Sequence, residues 1–284
     1  VTTFLFWNIK KRPLGKLIAD IVEEHSVDIV FLAECHLDEA SNISSALREK
    51  FGNSAFHHLK SQLPIRIKSE SRLIETFSRF PDSEFPEERV AAGNRASIRH
   101  LKKSGQPDIL VSIAHLPDPR NSTKYDQNTS CNRLAASIFS EESRLKHRRT
   151  VLIGDLNLNP FDDGVVAANA LNASFSERIV KKARSRHYED RDRPFFFNPM
   201  WRFFKETEDR PQGTYYFNKS SEGVLFYWYI FDQVLIRPEL LDQAKEYKVE
   251  ILTQAGKNSL LTKNGLPSRR YSDHLPILFA VDFK

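Results

Sequence analysis

Two cysteines in 284 residues leave no basis for a disulfide framework. Cys35 and Cys131 stand far apart, with neither a CxxC pair nor a histidine at zinc-ligand spacing, so the pattern does not suggest a structural zinc site and both thiols are expected to be buried or half-buried. No apolar run approaches the roughly 18–20 residues that a membrane span needs. The segment VTTFLFWNIKKRP puts its apolar residues ahead of its charges, the reverse of a secretory leader. A cytoplasmic protein with no membrane partner is therefore expected. Internal repeats, low-complexity tracts and long linkers are also missing. At about 100–200 residues per domain the length admits one large unit or two small ones, and a single unit over residues 1–284 is the simpler expectation.

What is present is a globular composition: 40% hydrophobic, 11% aromatic and 28% charged residues, with mean hydropathy −0.47. A net charge of +5 leans towards a polyanionic partner, although the excess is small for a chain of this length. Apolar periodicity predicts strand 2–9, helix 14–25, strand 28–35 and helix 41–51, a βαβ-like start. Short strands at 55–60, 64–69, 72–78, 95–101 and 108–116 read as an antiparallel meander. A helix over 129–147, with Leu134, Ile138 and Leu145 on one face, leads into the buried strand 150–155. Asp162 or Asp163 would cap a further helix over 162–173. Residues 176–213 are first dense in charge, then aromatic and broken by proline, after which strands return at 213–217, 226–236, 247–252 and 275–283.

Polar groups recur where these apolar strands end. Asn8 closes TTFLFWN, Glu34 closes DIVFLAE, His115 closes DILVSIAH, Asp155 and Asn157 close TVLIGDLN, and Asp273 with His274 precedes LPILFAV. An unpaired charge inside a strand costs several kcal/mol, so the recurrence calls for a common cause. Each residue has an ordinary explanation when taken singly. Asn8 could cap a turn, Glu34 could pair with a surface lysine, and His115 could be a satisfied structural histidine. Asp155 could shape an Asx turn, Asp273 could cap one, and His274 could bond a backbone carbonyl. If the strand ends converge, one chemistry unites them: carboxylates for a hard cation, amides and imidazoles for a phosphate, and one acid beside the attacking water. Such a site hydrolyses phosphate esters.

The blocks FLFWNIK, DIVFLAE, SIAHLP, VLIGDLNLNP, IFDQVLI and YSDHLPILF, in this order from about Phe4 to Phe283, resemble those of the endonuclease/exonuclease/phosphatase superfamily. The resemblance implies an α/β fold, a four-layered α/β/β/α sandwich of two packed mixed sheets as in deoxyribonuclease. It implies Mg²⁺ as cofactor, with Mn²⁺ as a substitute, at Asn8, Glu34 and Asp273. Asp155 would orient and deprotonate the water, without needing an elevated pKa. Asn157, two residues on along an extended segment, would face the same way and hold a phosphate oxygen. His115 would contact the phosphate and help the leaving oxygen, and His274 would stabilise the transition state with Asp232 fixing its tautomer. The FDQ of this chain replaces the aspartate-tyrosine pair commoner in the family, and Asp232 could instead pair with Arg237 or Lys248. Asn159 is expected to serve the turn.

The family hosts many substrates. The basic-aromatic insertion at about 176–213 carries Arg178, Lys181, Lys182, Arg184, Arg186, Arg191 and Arg193, then Phe195, Phe196, Phe197, Trp201, Phe203 and Phe204. It suits a phosphate backbone with stackable bases, or equally a solvated helix followed by aromatics that plug the core. The Trp-Cys-Asp-Arg block of 5-phosphatases is replaced by WYIFDQ, and the signal peptide and disulfides of secreted sphingomyelinases are missing. A nuclease acting on DNA is the leading expectation, with nucleic acid as partner. Arg95, Arg120, Arg133 and Trp201 are candidate substrate contacts, joined by Arg99 and Lys124. The alternatives are RNA, small nucleotides, phospholipid headgroups, or a catalytically silent nucleic-acid-binding module.

Overall fold

A computed structural model of the chain describes residues 1–66, 71–205, 210–219 and 224–284. The strand Thr2–Asn8 is buried at every position, and alternation along it explains why. Phe4 and Phe6 enter one apolar cluster, with Ile113, Ile153 and Val234. Leu5 and Trp7 enter another, with Ile18, Ile21 and Ile43. The strand is thus sandwiched between a second sheet and a helical layer.

Among the described residues two seven-stranded sheets result. In the first, the path runs Ala244–Ile251, Ile277–Phe283, Thr2–Asn8, Ile29–His36, Ser71–Ser78, His57–His58, with Ile65–Arg66 also on Ser71–Ser78. In the second it runs Ala173–Ser174, Phe196–Phe197, Asp232–Ile236, Thr150–Asp155, Ile109–His115, Ala96–Leu101, Glu87–Ala91. At the centre of each lies a parallel pair: Thr2–Asn8 beside Ile29–His36, and Ile109–His115 beside Thr150–Asp155. Parallel neighbours need a crossover, and the connections carry the helices Gly15–Glu24 and Lys124–Leu145. Helices Gly15–Glu24 and Leu37–Phe51 cover the first sheet through Ile18, Val22, Ile43 and Leu47. Helix Lys124–Leu145 covers the second through Cys131, Leu134 and Ile138. The layers are therefore α/β/β/α, as the resemblance implies.

Several elements depart from the sequence pattern. The helix expected over 129–147 begins at Lys124, because Thr123 and Asp126 form a capping box ahead of it. The helix expected over 162–173 is one turn, Asp163–Val166; Ala170 and Leu171 instead pack into the core beside the second sheet, and Ala173 enters its edge strand. The run 226–236 serves two sheets: Trp228–Tyr229 pairs with Tyr215–Tyr216, while Asp232–Ile236 joins the large one. The meander of residues 55–116 is likewise divided, Ser71–Ser78 in the first sheet and the three strands from Glu87 to His115 in the second. Of the strand expected at 64–69, Ile65–Arg66 is formed and residues 67–69 lie outside the described residues. In the basic-aromatic stretch, a short helix Glu177–Ala183 and a hairpin of Ser185–Tyr188 with Arg191–Pro194 precede Phe196, Phe197 and Phe203, which are core residues. Both cysteines are free and buried. No helix among the described residues is long and apolar enough to cross a membrane.

Gly154 fixes the approach of the two central strands of the second sheet. A Cβ there would lie 2.0 Å from the Ala114 carbonyl oxygen, a contact that only backbone movement could relieve. Its neighbour Asp155 is thereby held level with His115. Gly154→Ala is expected to destabilise the fold by about 2–4 kcal/mol, measured as a lowered urea midpoint at unchanged slope.

Candidate active site

The ends of the central strands of both sheets meet. His115 and Asp155 are register partners in the parallel pair, and Asp232 is the partner of Asp155 on its other side. The second sheet thus supplies an imidazole and two carboxylates in a row. From the first sheet come Asn8, at its strand end, and Glu34, with φ of 51°. His274 precedes the strand Ile277–Phe283 and is anchored to the first strand. Its carbonyl accepts from Trp7 Nε1 at 2.9 Å, and its N–H donates to Ser272 Oγ, which itself donates to Asn8 O at 2.6 Å.

Two hydrogen bonds join the sheets at this point. Asn8 Nδ2 donates to Asp155 Oδ2 at 3.0 Å, and His274 Nδ1 pairs with Asp232 Oδ2 at 2.8 Å. The other Asp155 oxygen accepts the Asn157 N–H at 3.0 Å, so Asp155 does shape an Asx turn while its remaining oxygen faces the cluster. His115 Nε2 stands 3.8 Å from both Asp155 Oδ2 and Glu34 Oε1. His274 Nδ1 stands 3.9 Å from Asp155 Oδ2. Asp232 is therefore the partner of His274. Arg237 is buried against Glu142 instead, its guanidinium 3.7 Å from the Phe196 ring centroid, and Lys248 pairs with Glu250.

These groups border a cleft of about 390 Å³. Asn8, Glu34, His115, Asp155, Asn157 and His274 line it, with Lys10, Arg120, Lys124 and Lys219 as cations. One wall is aromatic, and Tyr215 lies 4.8 Å from the His274 ring between centroids. Asn157 does not continue an extended segment; with φ of 52° it turns the chain, and its Nδ2 donates to Leu116 O. Asn159 holds the turn, its N–H donating to Asp162 Oδ2 and its carbonyl accepting from Asp162 N–H, while its side chain accepts from Ile230 N–H. Asp273 is turned to Lys10, 3.0 Å from Nζ. Arg120 is forked onto Asp118. The remaining candidates stand apart from the cleft lining. Arg95 presents its backbone carbonyl to His115 N–H, Arg133 is exposed on its helix, and Trp201 packs against Phe161, Phe175 and Phe204. Arg99 is fully buried and bonds the Phe85 carbonyl, which removes it as a phosphate contact. Lys10, Ser272 and Tyr215 acquire places here that the sequence reading did not give them. Lys10 and Ser272 already stood inside the matching blocks FLFWNIK and YSDHLPILF.

Burial governs the electrostatics. Enclosure of Asp155, and then the neighbouring Asp232 carboxylate, push its pKa up against the opposing pull of His274, His115 and Asn8. The elevated pKa that the sequence reading did without is supplied by the fold. Burial alone would lower His274, but Asp232 and Asp155 outweigh it and bring the imidazole up to about 9. His274 is thus a cation at neutral pH. Asp232 Oδ1 and Asp273 Oδ1 are buried without a hydrogen-bond partner, a state that a cation relieves. Among the described residues, one group of three acidic or histidine side chains has ligand atoms within 4.8 Å of one another: Asp155, Asp232 and His274. Its internal 2.8 Å contact is already a hydrogen bond. Glu34, a quarter exposed at the cleft, and the unpartnered Asp273 oxygen are hard donors of the type Mg²⁺ takes, one or two carboxylates with water completing the shell.

The sequence profile of the Endonuclease/Exonuclease/phosphatase family matches residues 5–274. No curated protein matches the chain. Among solved structures, an endonuclease/exonuclease/phosphatase family protein from Bacteroides thetaiotaomicron is similar with TM-score 0.59 and 15% identity, covering 100% of this chain and 95% of that one. D. rerio TDP2 complexed with single-strand DNA product gives TM-score 0.55 and 14% identity over 99% and 98% of the two chains. A mannosyl-6-phosphatase of Bacteroides thetaiotaomicron gives 0.56 and 14% over the whole of both. At these identities the likeness is one of fold.

The His274 pKa carries a sign. A folded value near 9, above the ordinary 6.5, adds stability that is complete below about pH 6.5 and is lost as pH rises through about 9. In metal-free protein the stability advantage of wild type over Asp232→Asn should therefore shrink across that window. Imidazole NMR titration should show one midpoint near 9 that falls in the variant; an unmoved midpoint would refute the Asp232 pairing as its cause.

Proposed function

The chain belongs to the endonuclease/exonuclease/phosphatase family, and from that membership we propose that the cleft is a divalent-metal-dependent phosphodiesterase that acts on DNA. The observation carrying this reading is the convergence on Asp155 of Asn8, His115 and the His274–Asp232 pair. Asp155, its pKa raised by burial, receives the proton of a water aligned for in-line attack. Asn8 and the Asn157 N–H hold both of its oxygens in place. Charged His274, its Nδ1 committed to Asp232, offers its second N–H to the pentacovalent oxygens. Asn157 spends one amide hydrogen on Leu116 O and keeps the other for a nonbridging oxygen. His115 stands on the far side of Asp155 from Asp232, suited to the leaving oxygen. Mg²⁺, or Mn²⁺ in its stead, would be held by Glu34 with Asp273 and Asn8 in support, and would supply Lewis-acid stabilisation of the phosphoryl charge.

Charge supports a polyanionic substrate most strongly in company with the metal. Lys10, Arg120, Lys124, Lys219 and charged His274 line the cleft, against Glu34, Asp118, Asp155 and Asp162. A bound dication tips that balance further towards phosphate. The aromatic wall of Tyr215, Phe217, Phe226 and Tyr229 offers faces on which bases stack, and TDP2, a fold neighbour, is solved with single-strand DNA product. A second reading is a small phosphate ester. A cleft of about 390 Å³ suits a single sugar phosphate, and a sugar phosphatase shares the fold.

Labelled DNA and RNA strands of graded length, bis(p-nitrophenyl) phosphate and hexose 6-phosphates, each with Mg²⁺, Mn²⁺ or EDTA, separate the readings. Turnover that rises with DNA length and vanishes in EDTA is expected. Asp155→Asn and His274→Ala should each lower kcat by roughly 10³-fold or more. Turnover confined to hexose phosphates would replace the nuclease reading with the phosphatase one. Binding of DNA with no turnover in any metal would leave a silent module.

A further inference from the structure

Lys10 stands just past the first strand in a backbone conformation that lysine disfavours, with φ of 50°, and Lys11 follows at 59°. Left-handed non-glycine residues cost about 1 kcal/mol or more each, so the surrounding structure must impose this turn. Lys10 N–H donates to Asn8 Oδ1 at 3.2 Å, Lys11 N–H to Glu34 O at 2.8 Å and Arg12 N–H to Ile9 O at 2.9 Å. The consequence is an ammonium brought into the cleft lining, with Nζ 3.0 Å from Asp273 Oδ2. Asp273 and Glu34 attract it, while Arg120, itself forked onto Asp118, repels it. The same Asp273 keeps its other oxygen buried and unpartnered.

We propose that Lys10 is a resident counter-cation that neutralises Asp273 by direct ion pairing, leaving Glu34, which has no direct lysine or arginine partner among the described residues, as the carboxylate a divalent ion takes and so keeping that ion weakly held and exchangeable. The inference rests on the metal-dependent reading above. Like charges a few ångströms apart repel appreciably at the effective dielectric of a partly buried site, so ammonium and dication compete for one field. An ion held by one full carboxylate and water has coordination positions left for a phosphate oxygen, and affinity then builds when substrate arrives. Without Lys10, Asp273 would be a second full carboxylate, and the ion would bind tightly before any substrate did.

Mn²⁺ binding to the substrate-free chain, followed by the EPR signal of the free ion, reads this directly. Lys10→Met should bind Mn²⁺ about tenfold more tightly than wild type, while Lys10→Arg stays at the wild-type affinity. Lys10→Gly, which relieves the left-handed strain, should reproduce the gain and serves should the methionine variant fold poorly. The gain should vanish in the Lys10→Met/Asp273→Asn double variant. Equal affinities in wild type and both neutral variants would overturn the inference, as would a gain that persists without Asp273. Glu34→Gln distinguishes the two levels. If it abolishes binding while the Lys10 variants match wild type, only the role of Lys10 falls. If it binds as wild type does, the metal reading falls and takes the Lys10 inference with it.

Discussion

A carboxylate buried where two sheets meet is the constraint on which the rest of this structure depends. Asp155 is 1% exposed, so its carboxylate is almost wholly withdrawn from bulk water. One oxygen is satisfied across the seam by Asn8 and the other by the backbone of its own turn. The sheets cannot slide without stripping that amide from Asp155 and His274 from Asp232, and either loss leaves a buried carboxylate oxygen without its hydrogen-bond donor. The packing of Phe4, Phe6, Ile113 and Ile153 between the sheets makes the sandwich adhere. The polar contacts at its edge select one register among those that apolar packing would tolerate.

Part of the backbone strain lies at the same edge. Lys10, Lys11, Glu34 and Asn157 all have φ between 50° and 59°; Glu34 lies near the end of the strand Ile29–His36 and the others just past a strand end. A strand that simply ended would carry its last side chains on alternately, one towards each face. The left-handed residues break that alternation and turn Glu34 and Asn157 into the cleft lining. Such conformations persist only where neighbours over-determine them. Here the neighbours are the backbone bonds from Ile9 to Ala33 and from Lys11 to Glu34.

The aromatic-rich stretch after residue 194 divides by depth. Phe196, Phe197 and Phe203 belong to the core, so most of its apolar area serves stability. Trp201 and Phe204 lie half-buried around Phe161, which in turn touches the cleft residue Phe226 at 5.4 Å between centroids. Alternating charge in SRHYEDRDR folds as a solvated hairpin, where opposite charges at its edges pair with one another. Composition alone had left both uses of this stretch open.

Much of the fold was legible in the chain because strand and helix periodicities are local: TTFLFWN, DIVFLAE and TVLIGD read as buried strands and are so. The helix 162–173 failed because its alanines fit a core as readily as a helix, and the run 226–236 failed because no local pattern marks a change of sheet. By itself the sequence determined the inventory, namely acids, amides and imidazoles placed at strand ends in a recognisable order. Tertiary structure decided the pairings. Asp232 took His274, 42 residues away, instead of Arg237, and Asp273 took Lys10 across 263 residues. Coulomb and hydrogen-bond energies depend on distance in space, and which groups come within 3 Å is settled only when both sheets have packed.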